Sequence, residues 1–220
     1  MPKISRKRQQ ELLKQIHDIL FEQYGQLHCT LDYETPVELL VATILSAQCT
    51  DVRVNKVTPA LFKKYPDSKA FAEADPAELE ELIRTCGFFR AKGKSIIEAC
   101  KDIVSRFGGI VPDNMDDLVS LHGIGRKTAN VILGDAFEVP GFPVDTHVKR
   151  VLNRLGSVNS EDPVKIEKEV NEVVDKKYWT NFSHMIIIHG RETCHARGPK
   201  CGKCRLLELC PHGQKQLKDH

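Results

Sequence analysis

A lysine set directly after a glycine corner is the first feature of this sequence with chemical potential. The stretch Leu121-His122-Gly123-Ile124-Gly125-Arg126-Lys127-Thr128-Ala129-Asn130 reads as the end of one helix, a Gly-x-Gly turn and the start of another. Glycine lets a backbone take positive φ and come close to another chain. N–H groups at a helix start suit a phosphate, and Arg126 and Lys127 follow at once. Lys127 falls in the first helical turn, where the helix field disfavours a cation. With partial burial, that field would lower the lysine pKa and leave more free amine, as a nucleophile needs. The same residues also fit a tight helix–turn–helix corner with an exposed lysine.

Two further groups carry chemistry. Asp145 opens the helix that follows Val144, in Val144-Asp145-Thr146-His147-Val148-Lys149-Arg150. As an N-cap it would be worth about 1 kcal/mol. A carboxylate at a domain junction can also stabilise positive charge developing on a sugar, or help proton movement near Lys127, and the two roles are compatible. Cys194, Cys201, Cys204 and Cys210 lie within 17 residues of one another, spaced Cys-x6-Cys-x2-Cys-x5-Cys. Four close cysteines without a secretory signal suggest a metal centre more than disulfides. The spacing alone leaves both structural zinc and a [4Fe–4S] cluster open. Arg197 and Lys200, in the loop between the first two of these cysteines, would be held rigidly by the ligands and could clamp a phosphate. Cys29, Cys49, Cys86 and Cys100 stand singly in apolar or helical stretches and read as small buried thiols.

The elements that position these groups are helical throughout. Leu12, Leu13, Ile16, Ile19 and Leu20 share one face of a first helix, and Thr35-Pro36-Val37-Glu38 is a capping box with proline at the first helical position. Asp75-Pro76-Ala77-Glu78 repeats that start signal. Further helices are expected over about 51–64, 91–106, 115–121, 126–137, 146–155, 163–174 and 178–189. No alternating segments joined by Asn-Gly or Asp-Gly suggest a hairpin, so the fold class is all-α. Val139-Pro140-Gly141-Phe142-Pro143-Val144 reads as a domain boundary.

The chain has 220 residues, 41% hydrophobic and 28% charged, with a formal net charge of +2. That composition is ordinary for a folded soluble protein, and it leaves any nucleic-acid site to local clustering of charge. Residues 1–9 carry four cations and no acid, and residues 191–220 carry seven Lys/Arg against three Asp/Glu, so both ends are basic. No apolar run nears the roughly 18 residues of a membrane span. The basic, then polar, N-terminus does not read as a secretory signal.

Taken in order, Leu-x-Gly-Ile-Gly-Arg-Lys-Thr-Ala, Val-Asp-Thr-His and the cysteine spacing resemble the endonuclease III family of the helix-hairpin-helix DNA glycosylase superfamily, over nearly the whole chain. The resemblance implies two lobes with DNA in a cleft between them: a six-helix barrel with the helix-hairpin-helix over 29–139, and a discontinuous lobe of 1–28 with 140–220 holding an iron–sulfur cluster. It resolves the metal centre as a [4Fe–4S] cluster on Cys194, Cys201, Cys204 and Cys210, structural and DNA-positioning rather than catalytic. It makes Lys127 the catalytic lysine and Asp145 the catalytic aspartate. Gly123, Gly125, Arg126, Arg197 and Lys200 become DNA contacts. Gln48, in Leu45-Ser46-Ala47-Gln48-Cys49-Thr50-Asp51, would fill the gap left by an extruded nucleotide. Phe88, in Cys86-Gly87-Phe88, would be the wedge, where the family usually has Leu.

The implied activity is that of a bifunctional N-glycosylase and abasic-site lyase. Its partner would be double-stranded DNA with oxidised pyrimidines or abasic sites, and it would work as a monomer in a bacterial-type cytoplasm. The competing readings are a monofunctional adenine or mismatch glycosylase of the same superfamily, or a non-catalytic, redox-sensing DNA-binding module.

Overall fold

A computed structural model describes residues 5–218 of the chain; Lys3 of the basic N-terminal run, with Asp219 and His220 of the C-terminal one, lies outside that range. Among the described residues there are α-helices and short 3-10 turns but no strand. The helices are α1 (Arg6–Tyr24), α2 (Pro36–Ser46), α3 (Asp51–Lys64), α4 (Ser68–Ala72), α5 (Pro76–Ile83), α6 (Phe89–Phe107), α7 (Met115–Val119), α8 (Arg126–Ala136), α9 (Thr146–Arg154), α10 (Pro163–Asn171), α11 (Trp179–Glu192) and α12 (Pro211–Lys218). No helix is long and apolar enough to cross a membrane. The chain divides into two compact units, Cys29–Val139 and Met1–His28 with Pro140–His220.

In the continuous unit, α2 is the central rod. Thr35 accepts a hydrogen bond from the Glu38 N–H while the Glu38 carboxylate accepts from the Thr35 N–H, so the helix start is satisfied from both sides. Val37 and every residue from Leu39 to Leu45 are buried. A helix apolar on all faces must be surrounded, and α2 packs against α3, α6 and α8. Helix α6 runs alongside, with Ile96, Ile97, Ala99, Cys100 and Ile103 in the core and contacts to α4 and α5. Of the single cysteines, Cys86 and Cys100 are buried, while Cys29 and Cys49 are only half-buried.

In the discontinuous unit, α1 packs on α11 and α11 packs on α9. Leu13, Ile16 and Leu20 of α1 join Phe142 and Phe182 in its core. The Pro-Gly segment is not a loose linker. Residues 141–144 are buried, and Phe142 is fully so, worth about 2–3 kcal/mol. Helix α11 pins this strap: Gly141 N–H donates to Thr180 Oγ1 (3.3 Å) and the Ser183 hydroxyl donates to the Pro143 carbonyl (2.7 Å). The strap therefore delivers Asp145 to the start of α9 with little freedom.

Candidate active site and cysteine centre

In the continuous unit, α7, the turn over residues 120–125 and α8 form the glycine corner. Helix α6 holds it at three points on one face. Asp102 accepts from the His122 N–H (2.9 Å), and Arg106 donates to the Ser120 carbonyl (3.2 Å) and hydroxyl (2.8 Å). Ser95 lies so close that a Cβ at Gly123 would meet its Oγ at 3.2 Å and its Cβ at 3.3 Å. Gly123 also has φ +73°, so both conformation and space demand glycine there. Gly125 differs from the expectation of positive φ. It sits at φ −91° with open space around it, as the N-cap of α8. No side chain caps α8, so its start keeps donors for a partner from outside the chain.

Arg126 has a partner within the protein. Lys127 is exposed, rather than partly buried, because α8 turns Ala129, Asn130, Ile132 and Leu133 to the core and leaves position 127 on the opposite side.

A groove of about 760 Å³ runs past this corner. Gly123 and Thr128, on either side of Lys127 in the chain, line it together with Ser95, Lys92, Gln48 and Phe88. Three of the sequence-derived DNA residues thus share one wall system. Gln48 is exposed in the turn after α2, at φ 52°. Phe88 precedes α6 at φ 48° and is 69% exposed, so it is a protruding aromatic and not a core residue.

In the discontinuous unit, Asp145 caps α9. Its Oδ1 accepts from the N–H groups of His147 (2.7 Å) and Val148 (2.8 Å), and its Oδ2 lies 3.1 Å from the His147 ring Nδ1. The carboxylate is held by three contacts and has no free rotation. The far end of α9 reaches the cysteine loop. Arg150 donates to the carbonyls of Cys194 (3.0 Å) and Gly190 (2.9 Å). Arg154 donates to those of His195 (2.6 Å) and Ala196 (3.0 Å) and to Cys194 Sγ (3.3 Å). Motif spacing does not single out these two arginines; their i, i+4 placement on the helix that Asp145 opens is the signal that finds them.

Cys194, Cys201, Cys204 and Cys210 are all free thiols and line one hollow of about 360 Å³. Among the described residues, no three His, Cys, Asp or Glu converge as a single-ion site would need. Four thiols around a hollow instead fit a group larger than one ion. Donors already aim at the sulfurs, from Arg154 and from the Gly213 N–H to Cys210 Sγ (3.3 Å). Burial pushes the Cys204 thiol up to about 11, with the other three sulfurs adding to it. Such a thiol gives up its proton only to a strong cationic centre. Arg197 is exposed, while Lys200 is exposed but already donates to the Glu192 carbonyl (3.0 Å), which leaves part of its donor capacity for a phosphate.

A model of the HhH-GPD superfamily of base excision DNA repair proteins matches residues 41–176, more than half of the chain. The chain belongs to that superfamily. Within it, the chain is 55% identical to endonuclease III of Synechocystis over 89% of its own length and 90% of the relative's. It is 43% identical to endonuclease III of Bacillus subtilis over 94% and 96%. These values make this HhH-GPD protein a member of the endonuclease III family. Its fold superposes on a non-covalent endonuclease III–DNA complex with a TM-score of 0.90 at 38% identity, covering 98% of this chain and 99% of that one. A trapped endonuclease III–DNA covalent intermediate gives 0.90 at 39%, covering 97% and 99%. The all-α fold is that of the HhH-GPD glycosylases, and the protein is a base excision repair enzyme.

Proposed function

We propose that this endonuclease III-family protein is a bifunctional DNA N-glycosylase and abasic-site lyase that removes oxidised pyrimidines from double-stranded DNA through Lys127. The observation that carries this reading is Lys127 itself: an exposed amine in the first turn of an uncapped helix, next to Thr128 and four residues after Gly123, which line the groove with Gln48 and Phe88. The solved complexes of similar proteins with DNA, one of them covalent, support it.

The target base is stacked in the duplex and must be turned out, at about a few kcal/mol. Phe88 would wedge between bases and Gln48 would occupy the vacated space. The start of α8, with Gly123, Gly125 and Arg126, would take the phosphate backbone, as would Arg197 and Lys200. The neutral amine of Lys127 attacks C1′ of the sugar and the base leaves with the bonding pair. The nitrogen then gives up a proton and its lone pair opens the sugar ring, breaking the C1′–O4′ bond as O4′ takes a proton. The protonated imine so formed acidifies the C2′ proton, and loss of that proton expels the 3′ phosphate by β-elimination. Asp145, fixed by His147 and Val148, stabilises the positive charge that builds on the sugar. Cys194, Cys201, Cys204 and Cys210 would hold a [4Fe–4S] cluster that rigidifies the loop bearing Arg197 and Lys200 and takes no part in bond breaking. The site of action would be chromosomal DNA in a bacterial-type cytoplasm.

Borohydride reduction during reaction with lesion-bearing duplex tests the reading. Wild type should become covalently joined to DNA, and Lys127→Gln should bind without joining. Trapping by the Gln variant would refute Lys127 as nucleophile, and wild type that binds without nicking would favour a non-catalytic module.

A further inference from the structure

The groove wall contains a lysine that the proposed chemistry does not use. Lys92, four residues into α6, is only 5% exposed. Burying an ammonium is expensive unless its donors are met. Its Nζ donates to the Leu45 carbonyl (2.9 Å) and to the Cys86 carbonyl (2.8 Å). Leu45 lies in the last turn of α2, where carbonyls lack helical partners. Cys86 ends a 3-10 turn that leads into Gly87 and Phe88. One side chain therefore ties together the ends of two separate elements.

The backbone just beyond each tied carbonyl is unusual. Among the described residues only three non-glycine residues have positive φ: Gln48 (52°), Phe88 (48°) and Glu138 (55°). Gln48 stands three positions after Leu45, and Phe88 two positions after Cys86. Both line the groove that Lys92 also lines. A left-handed conformation persists at such residues only where the surroundings over-determine it.

We infer that Lys92 is a positioning residue, a buried strut that holds the Gln48 and Phe88 turns together in the conformation that enters the duplex. The inference rests on the proposed activity for its purpose and on geometry for its mechanism. Burial lowers the Lys92 pKa, against the pull of the Cys49 and Cys86 thiols. Either protonation state keeps at least two N–H donors, so both carbonyl bonds survive any change of charge.

The test is Lys92→Met, which keeps the length of the side chain and removes every donor. Single-turnover excision from lesion-bearing duplex should fall about tenfold or more. Borohydride trapping on a single-stranded abasic oligonucleotide, which requires neither extrusion nor gap filling, should stay within about threefold of wild type. In a Phe88→Ala background the same substitution should cost less, because one of the two residues it orients is gone. Equal losses on both substrates would reduce Lys92 to general stability and overturn the inference, as would undiminished excision from duplex. Should the Met variant fail to fold, Lys92→Gln keeps an N–H pair on a shorter arm and should give the same split at smaller amplitude. Wild type that fails to trap at all refutes the proposed activity instead. The strut is then read from 2-aminopurine beside the lesion, which should brighten on binding wild type and not on binding Lys92→Met; equal brightening overturns it.

Discussion

Replacing Asp145 separates its two roles, because asparagine and alanine remove different things. Asparagine keeps a carbonyl oxygen where Oδ1 accepts from the His147 and Val148 N–H groups, and it caps helices as well as aspartate does. It loses the negative charge at the helix start, worth about 0.3–1 kcal/mol. Asp145→Asn should thus lower the melting temperature by no more than about 2–4 °C. Asp145→Ala leaves both N–H groups unpaired and should cost about 1–2 kcal/mol. Activity should follow charge and not capping. If the carboxylate steadies the sugar cation, both variants should lose about 10²–10³-fold in single-turnover excision, or roughly 3–4 kcal/mol of the barrier. Thermal unfolding with quenched-flow excision reads both quantities on the same samples. Excision by the Asn variant at the wild-type rate would leave Asp145 a cap and nothing more. Equal destabilisation by Asn and Ala would refute the capping geometry.

Other substitutions probe the surrounding frame. Gly123→Ala adds a methyl 3.2 Å from Ser95 Oγ at φ +73° and should cost about 1–2 kcal/mol together with DNA affinity, measured by unfolding and by titration with duplex. Gly125→Ala meets no atom within 4 Å and should unfold closer to wild type while still weakening DNA binding, since the methyl stands where a phosphate would approach. Gly190→Ala would place a Cβ 2.9 Å from His147 Cβ; forcing α9 and α11 apart should cost about 1–3 kcal/mol and slow excision, because Asp145 rides on α9. Cys204→Ser should abolish the broad visible absorbance of an iron–sulfur centre and speed proteolysis in the 194–210 loop; a protein that keeps its colour would remove Cys204 from the ligand set.

Much of this architecture is written in local chemistry. Thr35 and Glu38 announce α2, Asp75 announces α5, and Asp145 announces α9, because a cap is decided by residues a few positions apart. Helix α3 over Asp51–Lys64 has the expected bounds for the same reason. Helices α4 and α12, of five and eight residues, are not among the expected helices. The Pro-Gly segment reads as a linker because proline and glycine dominate it, yet α11 contributes the hydroxyls that bury it, and no local rule knows of α11. Sequence leaves Lys127 either partly buried or exposed, and only the packed face of α8 decides which way position 127 points. Lys92 sits in Arg90-Ala91-Lys92-Gly93-Lys94, and nothing in that stretch sets it apart from its neighbouring cations. Its one clue is position: 92, 96, 99 and 103 keep the apolar period of α6, so the lysine lies on the inward face. The left-handed turns at Gln48 and Phe88 have no signature in sequence, since neither residue favours that conformation.

The pinned strap over residues 141–144 also says where this polypeptide tolerates lengthening. One additional amino acid there would break the pairing of Gly141 with Thr180 or of Pro143 with Ser183 and swing the carboxylate beyond it. The Gly108-Gly109-Ile110 bend is the opposite case, with two left-handed glycines and an isoleucine that is 74% exposed. Fluorophores, affinity handles or new chain ends belong at that bend, where added groups at Gly108 and Gly109 meet open space.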